Sequence, residues 1–183
     1  MAFLADLSGY IRHWLVIPAH TAPYDGPAAS ETDLRKLTHV EPPGDAPRDA
    51  DLGQPGPHDE TWSFYDPGKN IFVEHSGFWH NLSVLDTYGH THLVTSHACT
   101  CRARFWSCGV GDLWVNGAPV TRNYGTRYMY PDPVDVTLEL AAGTNEISAR
   151  VQALGIRDTR FLYGLQLIDI PEGIDIRIPG SED

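Results

Sequence analysis

Three groups of side chains in this sequence could do chemistry. The first is a histidine and cysteine cluster, in which His90 and His92 stand two apart in a β-prone run and His97, Cys99 and Cys101 follow closely. An H-x-H pair on a strand presents both imidazoles on one face, an arrangement that can bind zinc, iron or manganese. Structural zinc usually uses C-x-x-C, whereas C-x-C on a strand is also what two small core residues look like. Metal ligation by His90, His92 and His97, or a set of core and surface histidines, are the two readings of this cluster.

The second group is carboxylates for glycoside cleavage. Such chemistry needs two acids facing each other roughly 5–9.5 Å apart. Glu74, Asp86, Asp112, Asp132 and Asp135 supply carboxylates without a recognisable pattern. No G-x-S-x-G, H-E-x-x-H, phosphate-binding loop or dinucleotide fingerprint occurs. The third group is aromatic: Trp79, Trp106, Tyr124, Tyr128 and Tyr130 fall in loops or on outward parity. Sugar rings present apolar C–H faces that stack on Trp and Tyr while nearby polar groups take the hydroxyls. The same five residues could instead pack beneath other parts of the chain or against a neighbouring domain.

The elements that must position these groups read as strands. Leu113, Trp114 and Val115 run into Asn116-Gly117, the dipeptide that best accepts a tight hairpin turn. Val134, Val136, Leu138 and Leu140 alternate with polar residues, as do Ile147, Ala149 and Val151, so each run has one apolar face. The intervening Ala142-Gly143-Thr144-Asn145 is expected to close a hairpin between them. Cys99, Cys101, Ala103 and Phe105 share one parity, which sends the cysteines inward and Arg102 and Arg104 outward. The run YIRHWLVI, from Tyr10, reads as a strand buried on both faces and ended by Pro18, and Phe161, Tyr163, Leu165 and Leu167 line the last core strand.

Between these runs, residues 19–61 shift to Pro, Gly, Asp and Ala. They read either as a long arm following the surface or as a disordered linker, with a helix-like turn in ETDLRKLTHV that Ser30 could cap. HSGFWHN reads as a loop, NYGTRYMY as a Tyr-rich bridge, and residues 171–183 as a tail that packs across the domain or links to a further one. The 183 residues suit one domain, 1–170, and the 14 Pro and 17 Gly among β-branched and aromatic runs argue for an all-β class.

The segments LWVNGAPV and AAGTNEISARV resemble the core of galactose-binding-like jelly-roll sandwiches, accessory modules of multidomain carbohydrate-active enzymes. The likeness extends loosely from Tyr10 to Asp169, with WVNG and the AGTN corner matched tightly. It implies an antiparallel β-sandwich, a largely architectural WVNG turn, and a polar insertion ending in a tryptophan, for which Trp62 is the candidate. The cupin pattern is the competing comparison, with glycine before H-x-H. Here Gly89 lies too close, His97 stands where a carboxylate belongs, and no second half-motif follows Gly109.

A net charge of −11 disfavours nucleic-acid and anionic-membrane partners and favours neutral ones. Three cysteines suit a reducing compartment, and the N-terminus lacks the pattern of a signal peptide, so the expected location is cytoplasmic. The expectation is thus a non-catalytic accessory β-sandwich of a larger carbohydrate-active protein. It would need no cofactor, pack on other domains of the same chain and contact carbohydrate weakly. A metal-dependent cupin-like enzyme using His90 and His92 is the alternative.

Overall fold

The structure, a computed structural model, describes residues 1–4, 8–25, 45–47, 50–125, 129–170 and 172–181. Among them the chain is nearly all strand, and every strand pairing is antiparallel. Two sheets form, joined by one long strand, β7 (Cys99–Val115). Its first half pairs with β9 (Asp132–Leu140) and β11 (Leu162–Leu167) in the first sheet. Its second half pairs with β8 (Ala118–Gly125) and β10 (Gly143–Thr159) in the second. The strand changes sheets near Gly109, whose φ of 107° is open to glycine and whose Cβ, if present, would meet the Gln152 carbonyl at 2.4 Å.

In the second sheet β10 pairs with β6 (Gly77–Thr95) along almost the whole length of both. On the far side of β6 lie β3 (Trp14–Pro23) and β12 (Asp175–Arg177), edged by β4 (Ser63–Tyr65) and β1 (Ala2–Leu4). The first sheet is completed by β2 (Tyr10–Ile11) and β5 (Val73–Glu74), both on β11. The two sheets close over a core that includes Trp14, Leu93, Phe105, Leu138, Ile147 and Tyr163. This is the expected β-sandwich, and the expected parities hold: Cys101 and Phe105 face inward, Arg102 faces solvent, and Phe161, Tyr163, Leu165 and Leu167 are all buried.

A second apolar layer lies on the outer face of the β6 sheet. Leu15 and Ile17 point out from β3 and are covered by Ala50 and Trp62 of the arm and by Ile178. Trp14 and Val16, of opposite parity, enter the main core, which explains why this stretch reads as apolar on both sides. Trp62 is 1% exposed. Burying a side chain of roughly 150–250 Å² at about 25 cal/mol per Å² contributes on the order of 4–6 kcal/mol to holding the arm down, an upper bound.

Several expectations change. The AGTN corner is not a hairpin: β9 ends in the first sheet and β10 begins in the second, so the corner crosses the sandwich. Asn145, fully buried there, donates to the carbonyls of Ala141 (2.9 Å), Gly143 (3.3 Å) and Leu93 (3.4 Å) and accepts from the Ala141 N–H (2.8 Å). Its Oδ1 also accepts from Nδ2 of Asn116 (2.9 Å), which stitches the corner to the tip of the β7–β8 hairpin. Asn116 and Gly117 occupy positive φ (51° and 78°), as the dipeptide predicts.

The run from Tyr10 breaks at Arg12-His13, giving β2 to one sheet and β3 to the other, and Trp14 Nε1 donates back to the Ile11 carbonyl at 2.9 Å. Pro18 does not end β3 but falls where the register shifts between Ile17 and His20. Most of HSGFWHN belongs to β6, and NYG of the Tyr-rich bridge belongs to β8. The tail packs across the sandwich through β12, with Ile174, Ile176 and Ile178 buried. The turn expected in ETDLRKLTHV, and Ser30 with it, lies outside the described residues. No helix among the described residues is long and apolar enough to cross a membrane.

Candidate functional site

Where β6 begins and β10 ends, a cleft of about 390 Å³ opens at one end of the sandwich. Phe78 and Gly77 enter it from β6, opposite Asp158 and Thr159 of β10, and Ser76, Arg160 and Met129 complete it. A bulge between Gly155 and Arg157 turns this end of β10, with Arg157 at a φ of 54°. Thr159 closes the bulge: its hydroxyl donates to the Ile156 carbonyl and accepts from the Ile156 N–H, both at 3.0 Å. Met129 also holds a positive φ, 68°. Non-glycine residues in that region cost of order 1–3 kcal/mol and cluster at functional sites.

The cleft is amphipathic. Phe78 is 56% exposed, with its ring edge-on to His80 at 5.0 Å, and Met129, which also lines the cleft, is exposed too. Ser76 Oγ accepts from the Phe161 N–H, and Arg160 is ion-paired to Glu74, so the polar wall is fixed from behind. The volume falls within the roughly 300–1,000 Å³ of small-molecule sites, and an apolar wall facing a few placed polar groups is their usual make-up.

A second polar constellation covers the outer face of the β6 sheet. Arg122 of β8 holds Asp112 of β7 through two bonds (2.6 and 2.9 Å), and Arg150 of β10 holds Asp86 of β6 likewise (3.0 and 2.8 Å). Asp112 and Arg150 are cross-strand partners, so charges alternate across four strands. Arg150 lies over the Tyr88 ring, 5.2 Å from its centroid, and His58 of the arm reaches Asp86 at 3.1 Å.

The four aromatic candidates among the described residues do not converge. Trp79 is half-buried against the core, its ring covering Gly77 and Gly155. Trp106 lies on the outer face of the first sheet, edge-on to Phe72 at 6.1 Å with the Arg104 guanidinium 5.8 Å from its ring. Tyr124 projects from the opposite face, on the rung next to Arg122. Tyr130, 69% exposed, follows Met129 at the cleft end, and Tyr128 lies outside the described residues.

The described histidines do not form a ligand set either. His90 and His92 do share a face, with ring centroids 5.3 Å apart, but His90 Nδ1 is engaged with Ser148 Oγ at 2.9 Å and its ring lies under Trp62. Burial, with His92 beside it, pushes the pKa of His90 down to about 3. His97 sits in the exposed turn after β6, bonded to Ser96. Among the described residues no group of three His, Cys, Asp or Glu side chains could hold a metal ion. Burial likewise pushes the Cys101 thiol up to about 11. Of the carboxylates, Glu74, Asp86, Asp112 and Asp135 are each held by an arginine. Asp132 lies at the start of β9, where its carbonyl accepts from Asn123. Sequence reasoning missed Phe78, Asp158 and Arg160 because the β6–β10 register that joins HSGFWHN to GIRDTR has no local signature.

No family model matches the chain, and no curated protein does. Similar solved structures include a beta-glucosidase from Kluyveromyces marxianus in complex with glucose, at a TM-score of 0.44 and 9% identity, covering 87% of this chain. A PA14 sugar-binding domain from an RTX adhesin gives 0.40 and 11%, covering 88% of this chain and 91% of that one. A family 35 carbohydrate binding module from an environmental isolate gives 0.36 and 17%, covering 63% and 81%. The chain spans 16% of the beta-glucosidase chain. At these values the similarity carries no information on ligand or activity.

Proposed function

We propose that this domain is a non-catalytic carbohydrate-binding module of a larger carbohydrate-active protein, and that it holds a neutral sugar in the cleft between the start of β6 and the end of β10. The observation that carries this reading is the exposed Phe78 ring set against Asp158, Thr159 and Arg160 in a space of about 390 Å³. A pyranose would lay its C–H face on Phe78 and Met129 and direct hydroxyls to the polar wall. Arg160 already faces Glu74, and the net charge of −11 opposes an anionic glycan. Tyr130, next in the chain to Met129, would extend the apolar surface of the proposed site, with Trp106 and Tyr124 left for contacts with other domains of the same chain. The three thiols, all free, suit the cytoplasmic placement included in this proposal.

Titration calorimetry with neutral oligosaccharides first picked out on a glycan array tests the reading. Phe78→Ala and Asp158→Ala are each expected to weaken binding about tenfold or more, equivalent to about 1.4 kcal/mol, with Phe78→Ala leaving the melting temperature unchanged. Absence of binding to any neutral glycan, or binding indifferent to both substitutions, refutes it.

A further inference from the structure

Residues 50–62, the end of the arm, form a short hairpin over the outer face of the β6 sheet. The Trp62 N–H donates to Gln54 (3.0 Å), the Gly53 N–H to Trp62 (2.9 Å) and the Gly56 N–H to Glu60 (2.7 Å). Ala50 and Trp62 anchor its base in the second apolar layer, and His58 sits at its tip in a 3-10 turn (Pro57–Asp59) at a φ of 62°.

Four of the nine histidines stand where this hairpin meets the sheet, in two close pairs. His58 is stacked on His20 of β3, centroids 4.2 Å apart and planes 10° apart. His90 and His92 of β6 are 5.3 Å apart, with Trp62 edge-on to His90 at 6.2 Å. Protonation of the His90–His92 pair would set like charges at a distance where water must enter to screen them. The charges around them act in order. Asp86, shared with Arg150, faces His58, which Asp59 and Glu60 flank in the chain and whose ring lies 5.9 Å from Tyr88. Glu146 of β10 and Asp51 of the arm draw a proton to His92, opposite Arg177 of β12. His90 then faces a cation on one side, and the Ser148 hydroxyl and Trp62 on the others.

We propose that the 50–62 hairpin is an acid-released strap: in mild acid His90 and His92 beneath it take up charge and it lifts from the sheet while the sandwich core stays folded. The direction of titration supports this. Burial holds His92 below its ordinary value and, helped by His92, holds His90 at about 3. A base whose pKa is depressed in the closed form binds fewer protons there than in the open form. The closed state is therefore fully favoured above about pH 6.5 and loses ground as pH falls toward 3, by up to about tenfold per pH unit for His90 alone. Lifting the strap uncovers Leu15, Ile17 and Tyr88 and frees Asp86 from His58.

Amide hydrogen exchange at pH 7.5 and 5.0, corrected for intrinsic rates, tests the strap. The amides of Gly53, Gly56 and Trp62 should lose protection at least tenfold at the lower pH, while those of Leu113 and Ala149 keep theirs. A His90→Gln/His92→Gln variant, whose amide at position 90 can still bond Ser148, should flatten that difference. Should the variant fold poorly, the imidazole titration of His90 in the unaltered protein decides: its midpoint must track strap opening. Equal loss in strap and core, undiminished strap protection at pH 5.0, a pH response unchanged in the variant, or His90 titrating normally beneath a protected strap would each overturn the proposal.

Discussion

The same interaction, an arginine gripping an aspartate through two bonds, occurs on both outer faces of this sandwich with opposite physical meaning. On the β6 sheet, Asp86 and Asp112 are 4% and 3% exposed, and the side chains of their arginines are largely buried as well. On the β11 sheet, Arg102–Asp169 and Arg104–Asp135 have geometry just as good (2.6 and 3.1 Å each) but stand in water. Exposed pairs contribute little because solvent screens them and ordering two long side chains costs entropy. Buried pairs are neutral to costly as a unit, yet breaking one strands a charge where it cannot be hydrated. Distance alone therefore says little about what a pair does, and burial decides.

Four measurements can sharpen or break this contrast. The largest effect is expected from Asp86→Ala, which strips Arg150 of its two-bond partner beside Tyr88. Chemical denaturation should show a loss of about 3–5 kcal/mol, and a loss near zero would mean that water reaches the face freely. Asp112→Leu alone should cost nearly as much, whereas Asp112→Leu with Arg122→Met should recover to within about 1 kcal/mol of the starting protein. Failure of the double substitution to recover would assign the pair a favourable net energy.

A smaller effect is expected from acid on the β11 face. Hydrogen bonds from Arg104 and Arg102 hold the carboxyls of Asp135 and Asp169 below the usual value of 3.8. Their contribution is thus complete above that value and disappears as pH falls through their lowered pKa, and 1 M salt should mute the change in thermal midpoint. The smallest effect is that of Arg104→Ala, which should move the midpoint by less than the acid change does. A clear drop would show that Arg104 acts through its stack on Trp106 rather than through its charge.

The fold class was legible because period-two alternation reports which side of a strand meets a core. Leu138 and Leu140, Ile147 and Ala149, and Cys101 and Phe105 all face inward as their spacing requires. Alternation does not report which strand lies alongside, so a crossing between sheets at Gly143 looked the same as a hairpin, and a strand that changes sheets at Arg12 looked continuous. The candidate site was less legible for the same reason. Phe78 meets Asp158 only because β6 and β10 pair in one register, and Asp86 meets Arg150 across 64 residues of sequence. The shared face of His90 and His92 was readable from their spacing. Their burial was not, because the Trp62 that covers one of them arrives from the arm.

Asn116-Gly117 is also a chemical weak point, since the flexible backbone nitrogen after an asparagine readily attacks its amide carbon, closes a cyclic imide and expels ammonia. In this molecule both ends of that amide are tied, Nδ2 to Asn145 and Oδ1 to the Glu146 N–H, and the Asn116 N–H itself donates to the Glu146 carbonyl at 2.8 Å. The corner that joins the two sheets therefore also acts as a preservative, slowing the ageing of the turn it holds.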